Sequence, residues 1–263
     1  MIGRVLAIGG SDPSGGAGIQ ADIKTITALG GYAAAAITAI TVQNTRGVTA
    51  VHPVPAAVVV AQARAVLDDV GADAIKIGML GSAATVEAVA ELMAETAAPL
   101  VIDPVLASTS GAPLLDPDAF EGLMRRLLPL AALLTPNAPE AERLTGLSIA
   151  TTDDLRRAGA ALLTAGVRAV LMKGGHIAGE SVTDILMTPD VDLLLTSQRI
   201  ETRHGHGTGC TLASACATGL AQGLTLAEAA RRAHDYVAEA LRRAPDLGGG
   251  SGPLDHAWPL RDP

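Results

Sequence analysis

Aromatic residues are almost missing: one Trp, two Tyr and one Phe stand among 263 positions, although 49% of the chain is apolar. The interior must therefore be built from Ala, Val, Leu and Ile, which suit buried parallel strands and the helices packed on them. Cysteine is scarce as well. Cys210 and Cys216 lie six apart on one predicted helix and point to different sides of it. That geometry excludes a disulfide between them, and a reducing compartment fits. Positive charge is in deficit: 19 Lys and Arg against 27 Asp and Glu leave a formal charge of −8. This balance argues against a nucleic-acid partner or an acidic membrane surface. No apolar run reaches the roughly 18 residues of a membrane span. The chain opens on the strand-like run Arg4–Ile8 rather than on a charged-then-apolar leader. The expectation is a cytoplasmic protein with no membrane partner.

What is present is a regular alternation. Strand-like runs at Arg4–Ile8, Ala34–Val42, Ala74–Ile77, Leu100–Ile102, Leu133–Thr135 and Ala169–Met172 are separated by helical runs. The helical runs are Ile19–Leu29, Pro55–Val70, Ala83–Thr96, Pro117–Leu128 and Asp153–Thr164. Such βαβ units predict an α/β fold with a mostly parallel central sheet and helices on both faces. Thr183–Met187 and Asp192–Ser197, joined through a Pro-Asp turn, read as a hairpin at the sheet edge, and helices follow at Gly209–Gln222 and Leu226–Arg242. No 20–50-residue repeat and no long linker interrupts the chain, so residues 1–263 read as one domain. The glycines between Gly248 and Gly252 read as a flexible turn opening a C-terminal tail.

The most informative segment is HGHGTGCTLASACATGLA, His204 to Ala221. Gly205, Gly207 and Gly209 open straight into a helix, with Thr208 and Cys210 among them. Small residues admit a ligand close to the backbone, and the helix start aims unpaired N–H groups and a positive dipole end at it. That is an anion hole. The same field favours a thiolate at Cys210, and an anion hole beside an activatable side chain suggests phosphoryl transfer. His204, His206, Cys210 and Cys216 match no standard zinc spacing.

The loop Gly9–Asp22 follows the first strand, where ligands gather in open α/β sheets. Its Gly16-Ala-Gly18-Ile-Gln-Ala21 fits a dinucleotide fingerprint, but no carboxylate follows the second strand to hold a ribose. Nor is it a P-loop, since Gly16 and Ala17 stand where Lys and Ser/Thr are required. Asp12 can accept a hydrogen bond from a small polar ligand. Gln43, at a strand end, offers a donor and an acceptor to a pyrimidine or pyridine edge, or is a solvated turn residue. Asp103 in VIDPV, and Asn137 and Glu140 in TPNAPEAERL, stand at strand ends where they can hold the waters of Mg²⁺ around phosphates. Asn137 and Glu140 equally suit helix capping. Lys173, in LMKGGH, is a point charge available to phosphate.

These blocks, in order from SDPSGGAGIQADIKT through TVQNTRGV and KIGML to HGTGCT and GPLDH, resemble the hydroxymethylpyrimidine/phosphomethylpyrimidine kinases of thiamine biosynthesis, within the ribokinase-like superfamily. The resemblance implies a three-layer α/β/α fold, commonly a homodimer. It implies ATP- and Mg²⁺-dependent phosphorylation of 4-amino-5-hydroxymethyl-2-methylpyrimidine, then of its monophosphate. Gln43 would bind the aminopyrimidine edge, Gly10, Asp12 and Ala17 would line the pocket, and Met79 and Val105 would lie against the ring. Asn137, Glu140, Lys173 and Thr208 would serve the nucleotide and Asp103 and Glu140 its metal, while Gly207, Thr208, Gly209 and Cys210 would form the catalytic anion hole. Cys210 would replace the Asp that acts as base in related sugar kinases. Four positions depart from the usual pattern: Thr109 for Lys, His204-Gly205 for Asn-Thr, and Ser251 for His. Thr109 and the His204–Gly205 hinge are candidate lid elements. The near alternative is a pyridoxine or pyridoxal kinase; a nucleotide-binding regulator without catalysis is more remote.

Overall fold

Leu6, Ile8, Ile75 and Ile77 pack into one hydrophobic cluster while their strand neighbours Val5, Ala74, Val101 and Leu133 pack into another. Strands buried on both faces need apolar residues at successive positions rather than at alternate ones. That requirement explains why the sequence reads as short apolar runs. The computed structural model describes residues 2–108, 111 and 113–261.

The strands are β1 (Arg4–Ser11), β2 (Tyr32–Asn44), β3 (Gly47–Pro53), β4 (Ala74–Ile77), β5 (Leu100–Ile102), β6 (Ala131–Leu134), β7 (Val170–Met172), β8 (Ser181–Thr188) and β9 (Val191–Gln198). They form one sheet in the order β3-β2-β1-β4-β5-β6-β7-β8-β9. Pairings from β2 to β7 are parallel, and antiparallel β3 at one edge and the β8–β9 hairpin at the other complete it. One face carries α2 (Ala56–Asp69), α3 (Ala83–Ala94), α5 (Ala138–Thr145) and α6 (Thr152–Thr164), the other α1 (Gly18–Ala28), α7 (Thr208–Ala221) and α8 (Leu226–Arg242). The three-layer α/β/α arrangement is the one expected.

Helix α7 is buried from Thr211 through Gly219. Its run of small residues makes this possible: a Cβ on Gly219 would lie 2.7 Å from Ala229 Cβ, so α7 and α8 cross almost in backbone contact. Two expectations need correction. Strand β3 was not foreseen; Asn44 and Gly47 close a tight turn that folds it back on β2. The helix expected over Pro117–Leu128 is present but irregular: α4 (Ala119–Gly122) widens into a π-helical turn at Leu123–Leu127 and ends in a 3-10 turn at Leu128–Leu130. Pro129 has no N–H to continue the ladder and can sit only in the first turn of a new helical segment.

Candidate active site

Chain order reverses between β1 and β4, so the loops after these neighbouring strands splay apart and leave a crevice at the carboxyl ends. A cavity of about 740 Å³ occupies it. Every site residue expected from the sequence lies on its wall. Gly10 comes from the end of β1, Asp12 and Ala17 from the loop after it, and Gln43 from the end of β2. Met79, Asp103 and Val105 follow β4 and β5, Asn137, Glu140 and Lys173 follow β6 and β7, and Gly207, Thr208, Gly209 and Cys210 begin α7. Thr109 lies outside the described residues.

The anion hole rests on two interlocked glycine loops. Gly207 caps α7 with a φ of 86°, and a Cβ there would lie 1.8 Å from the Gly16 carbonyl oxygen. Gly18 is held as closely, its virtual Cβ 2.3 Å from Gly10 O. Thr208 Oγ1 donates back to Gly205 O at 2.7 Å, closing the turn. Helix geometry leaves the N–H groups of the first turn without intrahelical acceptors, so those of Gly209 and Cys210 face the cavity.

Beside them stands a buried charge cluster. Lys173 Nζ is 2.8 Å from Asp103 Oδ1 and 3.7 Å from Glu140 Oε2. A Cβ on Gly209 would come within 3.0 Å of Lys173 Nζ, which puts the ammonium at the mouth of the hole. Burial alone would depress Lys173; Asp103 and Glu140 outweigh it and hold the ammonium above its ordinary value. Glu140 is pushed up to about 7, by burial first and by the Asp103 charge, against the pull of Lys173. Asn137 and Glu140 also form a reciprocal capping box on α5, with bonds of 2.8 and 2.9 Å. Capping and a place in the cavity therefore coexist, because capping leaves the second carboxylate oxygen uncommitted.

Cys210 departs from expectation. Burial pushes its thiol up to about 11; Lys76 and the Gly18 N–H pull it back, while Asp22 and Asp103 raise it further. The desolvation cost of the anion exceeds the pull of Lys76 and the Gly18 N–H, so Cys210 rests as a thiol. Lys76 itself is fully buried, 2.9 Å from Asp22 Oδ1, which also accepts from Ser214 Oγ at 2.7 Å. Sequence reading missed this pair; a Lys inside an otherwise apolar strand was its signal.

Asp12 has partners that its sequence neighbours do not announce. At 2% exposure, its carboxylate already receives Ser14 N, Ser14 Oγ, Ala17 N and His206 Nε2, at 2.8–2.9 Å. Burial would raise it, but these bonds, led by His206, hold it below the usual carboxylate range. These bonds order the loop, and Asp12 keeps its place on the cavity wall. His206, noticed in the sequence only as a metal candidate, thereby joins the site.

The C-terminal segment is not the flexible tail expected. The His206 N–H donates to Gly252 O, while Leu254 and His256 are 2% and 3% exposed. His256 Nε2 lies 3.0 Å from Thr211 Oγ1, and Tyr236 Oη donates to the His256 carbonyl. Burial, assisted by Lys24, lowers His256 from 6.5 to about 4. Below the unfolded value the unfolded chain binds a proton that the native state refuses. Stability should therefore fall by about 3 kcal/mol as the pH drops from about 6.5 to about 4. Urea titrations at several pH values check this, and His256→Gln should flatten that part of the profile.

Comparison with known proteins agrees with this geometry. The family profile described as phosphomethylpyrimidine kinase matches residues 12–255. A hydroxymethylpyrimidine/phosphomethylpyrimidine kinase from Streptomyces coelicolor is 50% identical over 256 residues, covering 97% of this chain and 95% of the relative. The crystal structure of a phosphomethylpyrimidine kinase from Clostridium difficile aligns with a TM-score of 0.81 at 42% identity, over 92% of this chain and all of that one. An ADP complex of Bacillus subtilis pyridoxal kinase aligns with a TM-score of 0.91 at 33% identity, over the full length of both. With the anion hole, its lysine and the strand-end carboxylates on one crevice, the chain belongs to the phosphomethylpyrimidine kinase family.

Proposed function

We propose that this chain phosphorylates 4-amino-5-hydroxymethyl-2-methylpyrimidine at its hydroxymethyl oxygen and then phosphorylates the monophosphate, with Mg·ATP as donor, in thiamine biosynthesis. The observation that carries the reading is one cavity lined both by a carboxamide, Gln43, and by a glycine-opened helix start flanked by Lys173. Asp103 and Glu140 fit Mg²⁺: they are two buried carboxylates sharing one ammonium, and this ion is commonly held by one or two carboxylates together with phosphate oxygens. When bound, the nucleotide supplies the phosphoryl group and the metal offsets the charge on its oxygens.

The chain's own residues do the rest. The Gly209 and Cys210 N–H groups donate to oxygens of the group in transfer, and Lys173 adds a fixed positive charge. The acceptor oxygen bonds the γ-phosphorus as the bond from that phosphorus to the bridging oxygen breaks and ADP leaves, and the acceptor's proton passes to the thiolate fraction of Cys210. Burial keeps that fraction small, and nearby Lys76 keeps it from vanishing. Ile40 and Val42 are exposed on one face of β2, opposite Ala50 and His52 of β3. A second copy of this chain would cover that face in a homodimer, and a sedimenting mass of twice the chain's would support it.

A pyridoxal-like ring is the second reading, favoured by the likeness to the Bacillus subtilis pyridoxal kinase. A coupled ADP-release assay with Mg·ATP, given the pyrimidine, its monophosphate and pyridoxine separately, decides between them. Turnover of the first two with pyridoxine far slower is expected. Turnover of pyridoxine alone would move the chain to the second reading.

A further inference from the structure

At the carboxamide end of the cavity a chain of polar groups runs from Asp12 to Ser11. His206 Nε2 is 2.8 Å from Asp12 Oδ2 and 3.2 Å from the Gln43 amide nitrogen. Gln43 Oε1 is in turn 3.2 Å from Thr41 Oγ1, which lies 2.9 Å from the Ser11 carbonyl oxygen. The directions of these bonds can be worked out from their two ends.

Asp12, held below its ordinary value, is ionised and can only accept. His206 Nε2 must therefore carry a proton, whether the ring is neutral or charged. That single N–H, directed mainly at Asp12, has only a shared, longer contact to offer the Gln43 amide, and an NH₂ placed there would set donor against donor. At the other end the Ser11 carbonyl also only accepts, so it takes the Thr41 hydroxyl proton. Thr41 Oγ1 then turns a lone pair toward Gln43. Both constraints are met by one half-turn of the Gln43 amide, which exchanges oxygen and nitrogen without changing its shape.

We infer that Asp12 through His206, and Ser11 through Thr41, fix the Gln43 amide with its oxygen toward His206 and its nitrogen toward Thr41, so that the pocket admits a ring edge presenting a donor beside an acceptor in one order only. Each end of the amide keeps one free valence for the ligand, an oxygen lone pair and an N–H. An aminopyrimidine offers the matching pair: an exocyclic NH₂ beside a bare ring nitrogen. The 4-oxo counterpart reverses both, placing a carbonyl where the NH₂ was and an N–H where the bare nitrogen was. A freely turning amide would serve either ring. A fixed one meets acceptor with acceptor and donor with donor, and so rejects the oxo ring. Gln43 touches the substrate, and Asp12, His206 and Thr41 are positioning residues.

The inference rests on the pyrimidine reading above, and two measurements separate the two. The first is NMR of the free, ¹⁵N-labelled protein. Protonated Nε2 on His206 and contacts from the Gln43 amide protons to the Thr41 methyl are expected. An unprotonated Nε2, or amide protons in contact with the His206 ring, would overturn the inference whatever the substrate is. The second is the ratio of kcat/KM for the amino and 4-oxo hydroxymethylpyrimidines. The unaltered enzyme should favour the amino ring by about 10³-fold. His206→Gln, whose amide adapts to either orientation, and the near-isosteric Thr41→Val should each lower that ratio by about tenfold or more. Ratios that stay unchanged in both variants, even with slower turnover, would sink the inference while leaving the pyrimidine reading in place. No turnover of either ring by the unaltered enzyme would instead remove that reading, and the NMR result would still decide the amide's orientation.

Discussion

Gly207→Ala should reduce kcat/KM for phosphoryl transfer by about 10³-fold or more, since loss of a single well-aimed oxyanion donor already costs about 10²–10³. The added Cβ would lie 1.8 Å from Gly16 O and 2.8 Å from Gly16 C. Neither backbone can yield. The Gly16–Ala17 loop is tied down by the Ala17 N–H on Asp12, and Gly18 is wedged against Gly10. The start of α7 must therefore shift, and the N–H groups of Gly209 and Cys210 shift with it. A φ of 86° adds backbone strain of about 1–3 kcal/mol for a residue with a Cβ. Steady-state kinetics and a thermal melt read both effects. Near-normal turnover in the variant would show that the helix start does not hold the transferring group.

Cys210→Ala should slow the first phosphorylation by about 10²–10³-fold, the range of general-base catalysis, and the second by less than about tenfold. The difference lies in the acceptors. An alcohol must lose its proton as it attacks, whereas a phosphate monoester, with a second pKa near 6, is largely deprotonated at neutral pH. The position of Cys210 adds a pH signature. With its thiol pushed up to about 11, the thiolate fraction grows about tenfold for each pH unit through the neutral range. The first step should therefore accelerate with pH up to about 11, and that climb should disappear in the variant. Equal losses in both steps, or a flat profile in the unaltered enzyme, would remove the base role. Binding and orientation by the N–H groups would then carry the catalysis.

The layered sheet and the position of its cavity were legible because they depend on short-range patterns. Apolar runs such as Ala74–Ile77 and Leu100–Ile102 appear as strands with the bounds expected, and the β8–β9 hairpin lies at the sheet edge. Glycines at Gly16, Gly18 and Gly207 announced a close backbone approach, and Gly207 and Gly18 take the positive φ angles that only such a residue adopts readily. Strand β3 was hidden because an edge strand exposed on one face carries no core pattern, as its burial along Gly47–Pro53 shows.

Sequence alone determined that the chain is an α/β protein whose candidate site residues sit at strand ends, because a strand's apolar run and a glycine-opened helix each announce themselves locally. Tertiary structure decided what those residues can do. Cys210 lies near a helix start in both descriptions, but only folding half-buries it on the cavity wall and lifts its thiol to about 11. Asp12 and His206 are 194 residues apart in sequence, yet folding pairs them on the cavity wall. Lys76 and Asp22 join across 54 residues in the same way. Burial and long-range pairing set protonation and hydrogen-bond direction, and neither is encoded in the neighbours of a residue along the chain.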